Sequence, residues 1–257
     1  MIKNCTTTDV GRHFHDHPAV SQWWKLKHPE KGLAVGSPAF NDPALLKGLP
    51  LDFVVTQPVS KDGLRKALAK DDPSSDPDAH PLVSVQHGHV ETYVVYAARN
   101  PENPKIPMDD THITTAVVCM LPTSRGTITL ADKDPRSAPL IDPNYFATEA
   151  DRYVLCEGLR KVREVLRETP SWEGNSDTSD GEIDDLIRRR LMTLYHPAGS
   201  ASMGKVVDSE LRVKGIERLR VVDASVIPIP LAAHIQACVY VVAKQAADII
   251  LGHSQQS

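Results

Sequence analysis

The hydrophobic positions of this chain follow two periods, one typical of strands and one typical of helices. Residues 51–57 (Leu-Asp-Phe-Val-Val-Thr-Gln), 90–96 (Val-Glu-Thr-Tyr-Val-Val-Tyr), 112–120 (His-Ile-Thr-Thr-Ala-Val-Val-Cys-Met) and 127–130 (Thr-Ile-Thr-Leu) are rich in β-branched and aromatic residues, a pattern that predicts strands. Loops join them, which favours an antiparallel sheet over βαβ units. From Thr148 the period becomes helical. Leu155, Leu159, Val162 and Leu166 step along one face, Asp151 stands where an acidic capping-box partner would, and Pro170 stops the run. Ile183, Ile187 and Leu191 predict a second helix over 181–194, and residues 236–251 predict a third that ends at Gly252. Strands followed by helices give the expected fold class: α+β, an antiparallel sheet backed by helices.

The flanks are less regular. Residues 1–50 are proline-rich with little periodicity and read as an irregular lead-in to a single domain over 1–257, with the sheet and helices in 51–195. Residues 70–81 are rich in Asp, Ser and Pro and read as a mobile surface loop.

Composition narrows the class of protein. Hydrophobic residues at 41% and charged residues at 24% describe a globular chain. A net charge of -4 argues against a nucleic-acid partner, and no apolar run reaches the length of a membrane span. The start (Met1-Ile2-Lys3-Asn4-Cys5-Thr6) has no apolar core of a secretory signal, so a cytoplasmic location is expected and the Asn4-Cys5-Thr6 sequon carries no weight. Cys5, Cys119, Cys156 and Cys238 form no CxxC pair and sit mostly among apolar neighbours, as free buried thiols do.

The chemistry concentrates in histidines. His196 opens the segment His-Pro-Ala-Gly-Ser-Ala-Ser-Met-Gly, and His234 lies just before the last helix. Imidazole is the side chain best matched to moving a proton near neutral pH, and two facing one pocket can act as base and hydrogen-bond donor. Tyr195 and Gln236 flank the pair and are candidate substrate contacts. His13, His15 and His17 alternate in Val-Gly-Arg-His-Phe-His-Asp-His-Pro (10–18), but a metal would need converging carboxylate or Cys ligands, and Asp16 would leave that face in a strand. His87 and His89 are set aside likewise, and no metal is expected.

Taken together, residues 10–18, Tyr195-His196-Pro197-x-Gly199, Val221-Val222-Asp223-Ala224-Ser225 and Ala233-His234-x-Gln236 resemble the glucose-methanol-choline (GMC) flavin oxidoreductases, most closely their aryl-alcohol-oxidase-like branch. The run 121–130, with Ser124-Arg125-Gly126 as a turn, resembles the core of that family's C-terminal domain, Arg125 tying down neighbouring carbonyls. The resemblance implies a substrate-binding domain with a remnant of the FAD domain over 196–257. It implies that His196 and His234 take the alcohol proton while hydride leaves for the flavin, and that Asp223 and Ala224 are remnants of the FAD contact. However, no two glycines are separated by a single residue, so the Gly-x-Gly-x-x-Gly fingerprint of the nucleotide-binding half does not occur in these residues.

Three readings follow. In the first, a truncated GMC-like enzyme works without a cofactor and uses the His196/His234 pocket for isomerisation, dehydration or cyclisation (a pericyclic closure included) of a small hydrophobic substrate. In the second, the chain is a fragment or split subunit of an FAD-dependent alcohol oxidase or dehydrogenase. In the third, it is a non-catalytic small-molecule binder or a decayed pseudoenzyme. The apolar faces of 219–222 and 236–251 further suggest a homodimer built there.

Overall fold

The computed structural model describes residues 8–40, 42–43, 47–48, 50–51, 53–98, 106, 108–168, 172–173 and 179–252. Cys5 with its sequon, and Pro170, lie outside these residues. The chain groups into two compact units, one made of Pro18–Cys119 and Glu149–Met192, the other of Met1–His17, Met120–Thr148 and Thr193–Ser257.

The first unit is an antiparallel sheet with helices. Its strands are β1 (Pro18–Leu26), β2 (Val54–Gln57), β3 (Val90–Val95), β4 (His112–Cys119) and the short β7 (Trp172–Glu173), in the order β2-β3-β4-β1-β7; β8 (Leu191–Thr193) also pairs with β1. Register places Val20 opposite Val117, Gln22 opposite Thr115 and Trp24 opposite Ile113, while Thr92 lies opposite Val117 and Val94 opposite Thr115. These residues share one face because side chains alternate along a strand. Helix α3 (Glu149–Glu168) lies against that face and buries Leu155, Leu159, Val162 and Leu166, the predicted stripe. Gly158 permits the approach: a Cβ there would lie 2.4 Å from Val117 Cγ1 and 2.6 Å from Val90 Cγ2. Helix α4 (Asp180–Arg190) buries Ile183 and Ile187 and opens on a Ser179/Glu182 capping box.

Several sequence expectations change here. The start of α3 is capped from another helix: Asp71, the last residue of α1 (Lys61–Asp71), accepts the backbone N–H groups of Glu149 and Ala150 at 2.7 and 2.9 Å. Residues 72–80 are a run of exposed turns held by Asp72, Asp76 and Asp78, followed by the one-turn helix α2 (Pro81–Ser84). The lead-in 1–50 is not irregular throughout, since its residues Pro18–Leu26 form an interior strand. Burial on both faces erased the alternation that would have revealed it, and Gln22 is a polar residue in the buried set. A cavity of about 490 Å³ between the sheet and α3 is lined mainly by Phe53, Val55, Val94, Val162, Val165 and Leu166; among the described residues no histidine or cysteine lines it.

The second unit is mostly loops around a small core. Strands β5 (Thr127–Thr129) and β6 (Leu140–Asp142) pair antiparallel. Arg125 Nη1 donates to the Pro122 and Ser124 carbonyls at 2.8 and 2.9 Å, so it ties down the turn before β5. Helix α5 (Gln236–Ile250) packs Val242 and Ala246 against Ala201, Val206, Val207, Leu211, Val213 and Val226. The expected strand over 219–222 reduces to a bridge between Arg220 and Arg212 with two flanking hydrogen bonds, Val213 N–H to Leu219 O and Val221 N–H to Leu211 O. Among the described residues no helix is long and apolar enough to cross a membrane.

Candidate active site

Three segments of the second unit meet at its histidines. Residues 8–17 run between two others: Phe14 bridges Gly126, and His15 bridges Ala198 through a pair of backbone hydrogen bonds of 3.0 and 2.8 Å. Leu194 N–H donates to the His17 carbonyl at 3.0 Å. Gly199 makes this close pairing feasible. Its φ is +82°, and a Cβ there would fall 2.2 Å from the His13 carbonyl oxygen and 2.5 Å from His15 Nδ1.

Asp16, almost fully buried, is the hub. Its Oδ1 accepts the backbone N–H groups of His17 at 2.7 Å and His196 at 2.9 Å. Its Oδ2 accepts the Tyr145 hydroxyl at 2.5 Å and the Thr193 hydroxyl. The Thr193 oxygen in turn accepts the Tyr195 N–H at 2.8 Å. Four donors therefore compensate one buried carboxylate. They also hold Tyr195 at φ +64°, a conformation a tyrosine rarely adopts and one that persists only where the surroundings impose it. The resulting kink presents His196.

The rings form a series. His17 Nδ1 and His196 Nδ1 are 2.9 Å apart, with ring centroids at 5.0 Å and planes perpendicular. His196 and His234 follow at 4.8 Å between centroids, again edge to face. Exposure rises along the series: His17 is buried, His196 half-buried and His234 exposed. Burial holds the His17 imidazolium down to a pKa of about 4, with His196 adding to the effect and Asp16 and a hydrogen bond to the Leu231 backbone opposing it. Burial does the same to His15, also to about 4. Burial and the bond to Asp16 raise the Tyr145 phenol well above its ordinary value. A neutral buried imidazole next to a half-buried one next to a solvent-facing one can pass or accept a proton.

The structure thus brings His196 and His234 together, as the sequence expects of a pair sharing a site. Tyr195 is adjacent but turns an exposed side chain outward, and Gln236 is exposed at the first turn of α5. Asp223 is exposed, and its carboxylate accepts Ser225 N–H at 2.8 Å, capping the single 3₁₀ turn Ala224–Val226. His13 pairs with Asp9. His89 lies in the other unit and is spent on backbone, accepting Val59 N–H and bonding the Leu82 carbonyl. Among the described residues no group of three or more His, Cys, Asp or Glu is arranged to hold a metal ion. Sequence reasoning weighed His17 and Asp16 only as metal ligands and as part of a family-like loop, and gave Thr193 and Tyr145 no role in the site. The signal was the tripeptide Asp16-His17-Pro18: a proline forces the residue before it into extended backbone, which fixes the direction of a preceding histidine.

Residues 122–243 match the GMC oxidoreductase family. The chain is 41% identical over 258 residues to the GMC-type oxidoreductase acuG of Aspergillus aculeatus, covering 94% of this chain and 49% of that protein. It is 37% identical over 143 residues to choline oxidase of Arthrobacter globiformis, 49% of this chain and 26% of that one. Among solved structures it is similar to the FAD-containing formate oxidase of Aspergillus oryzae RIB40, with a TM-score of 0.75 at 27% identity over 96% of this chain and 48% of that one. The chain spans about half the length, or less, of these relatives.

Proposed function

We propose that His196 and His234 are the proton-transfer centre of an alcohol-oxidising enzyme of the GMC oxidoreductase family, which residues 122–243 match and half of whose members' length this chain resembles. The observation that carries this reading is the imidazole pair at 4.8 Å, with one ring anchored by Asp16 through its own backbone N–H and the other open to solvent. A substrate hydroxyl within hydrogen-bond reach of both rings would give its proton to one and accept a hydrogen bond from the other. The neutral ring of His17 behind His196 disperses the charge that arrives, and Asp16 keeps the distance fixed while it does.

The fit to a flavin is divided. The donor set suits the reacting end, where a proton must leave as an alcohol is oxidised. The nucleotide end is not matched by these residues: the Asp223 carboxylate is used in its own turn, Ala224–Val226 is one 3₁₀ turn, and the glycine fingerprint that lets a helix N-terminus approach a pyrophosphate is not in this sequence. The hydride acceptor therefore belongs to a nucleotide-binding half supplied by further chain or by a partner. The relatives' names, a choline oxidase and a formate oxidase among them, suggest a small hydroxyl or carbonyl compound as substrate.

A second reading uses the same pair without redox change, for isomerisation, dehydration or cyclisation, and the missing fingerprint favours it. The two readings separate when the chain is purified and offered primary alcohols with FAD and a nucleotide-binding half present or withheld. Turnover that needs the flavin supports the first reading. Turnover of a substrate by the chain alone, unaffected by flavin, replaces it with the second.

A further inference from the structure

We propose that the cavity between the sheet and α3 in the first unit is a second small-molecule site, built for a neutral, largely apolar compound that ends in one hydroxyl group.

The cavity has a cause in the packing. Helix α3 meets the sheet closely at Gly158, where a Cβ would lie 2.4 Å from Val117 Cγ1 and 2.6 Å from Val90 Cγ2. Further along the helix, Val162, Val165 and Leu166 line one side of a space of about 490 Å³, and Val94 and Thr115 of the sheet line it too. That volume lies within the roughly 300–1,000 Å³ of pockets that hold small molecules. The lining is mostly apolar, and part of it is uncovered: Phe53 is 76% exposed and Val165 63%. A ligand seated there removes this apolar surface from water. The two charged residues of the lining, Lys161 and Glu164, are opposite in sign, and Lys161 Nζ donates to the Pro58 carbonyl at 3.2 Å. The lining carries no net charge, so it suits a neutral ligand.

The polar end is set by two residues of the sheet. Register places Gln22 opposite Thr115 and Thr115 opposite Val94, so all three belong to the face that α3 covers. Val94 and Thr115 line the cavity, and Gln22 stands one strand further in. Gln22 is 6% exposed, and its Oε1 is buried with no hydrogen-bond partner among the described residues. An unanswered buried acceptor is costly and rare in a native protein. The Thr115 hydroxyl accepts the Trp24 indole N–H at 2.8 Å, which leaves its own hydrogen to give. The inner wall thus offers one acceptor and one donor. A hydroxyl is the smallest neutral group that answers both, donating to Gln22 and accepting from Thr115. Cross-strand partners with Cβ atoms about 4.5–5.5 Å apart are close enough to share it. A hydrocarbon leaves both groups unanswered, and a carboxylate would set a charge against the Gln22 oxygen.

The test uses the full chain labelled with ¹⁵N. The probe is 2-naphthol, and 2-methoxynaphthalene is its counterpart without a donor. Titrations followed by ¹H–¹⁵N spectra are expected to show saturable binding of 2-naphthol with a Kd below about 1 mM, with shifts centred on the amides of Val94, Thr115 and Val162. Binding of 2-methoxynaphthalene should be about tenfold weaker. In Gln22→Leu the two probes should bind alike. Val94→Trp, which fills the cavity, should abolish binding of both, and Val165→Trp serves where that variant does not fold. Binding that does not saturate, shifts centred on His196 and His234, no preference between the probes in the wild type, a preference that survives Gln22→Leu, or binding unchanged by the tryptophan overturns the proposal. These readouts do not involve turnover, so their failure leaves the reading of the histidine pair as it stands.

Discussion

Asp16 holds the backbone N–H of His196 at 2.9 Å across 180 positions of sequence, and the same oxygen holds the N–H of His17. His196 is thus fixed by its main chain, while its ring meets His17 on one side and His234 on the other. Replacing this carboxylate by an amide points an NH₂ group at donors. Asp16→Asn is expected to cost about 3 kcal/mol or more, since a hydrogen bond to a charged group is worth about 1.5–3 kcal/mol and more than one of the four is disturbed. Tyr145→Phe, which deletes one of four donors, is expected to cost about 1–2 kcal/mol. Urea denaturation of both variants checks the order, and equal stabilities would show that Asp16 is no hub.

Acid should destabilise this unit before the carboxylates titrate. His15 and His17 have folded pKa values of about 4, chiefly through burial, against 6.5 unfolded. Below 6.5 the unfolded chain binds more protons than the folded one, so the contribution is complete above that pH and is lost as pH falls toward 4. Each histidine is expected to cost roughly 2 kcal/mol at pH 5. Denaturation midpoints from pH 7.5 to 4.5 check this, and His17→Asn should flatten the slope. A profile flat down to pH 5 would contradict the burial of these rings.

Much of the architecture was legible. The stripe from Leu155 to Leu166 and helix α5 follow from a helical period, and strands β2, β3 and β4 follow from their runs of β-branched and aromatic residues. Strand β1 was not, since both of its faces are covered and Gln22 and Ser21 interrupt its apolar run. The pairing of His196 with His234 came from motif resemblance, because spacing alone says nothing about rings 38 positions apart in sequence (234 − 196). His17 and Asp16 escaped because their roles are set by contacts from Thr193, Tyr145 and Leu231, which no local pattern announces.

The chain purified alone is expected to carry no flavin. The Asp223 carboxylate is engaged with Ser225, and the glycine fingerprint is not in these residues. An absorption spectrum with a check for released FAD on denaturation measures this, and stoichiometric FAD would mean that a different set of contacts holds the nucleotide.

The outer face of α5 should drive self-association of the chain when it is alone. Tyr240, Val241, Ile250 and Leu251 are each more than half exposed, an apolar surface that isolated soluble proteins seldom leave uncovered. A second copy is the proposed cover, and light scattering at micromolar concentration should give a dimer mass that Tyr240→Glu with Val241→Lys reduces to a monomer. A monomeric wild type would place the cover elsewhere.

The central claim is that His196 and His234 move the substrate's proton, and alcohol turnover by the flavin-loaded enzyme containing these residues tests it most directly. His196→Ala is expected to lower kcat by about 10²–10⁴-fold, the contribution of a positioned base, with FAD content and melting temperature preserved and with a similar, smaller loss in His234→Ala. Turnover in His196→Ala within a few-fold of the wild type, in a folded and flavin-loaded protein, would contradict the account.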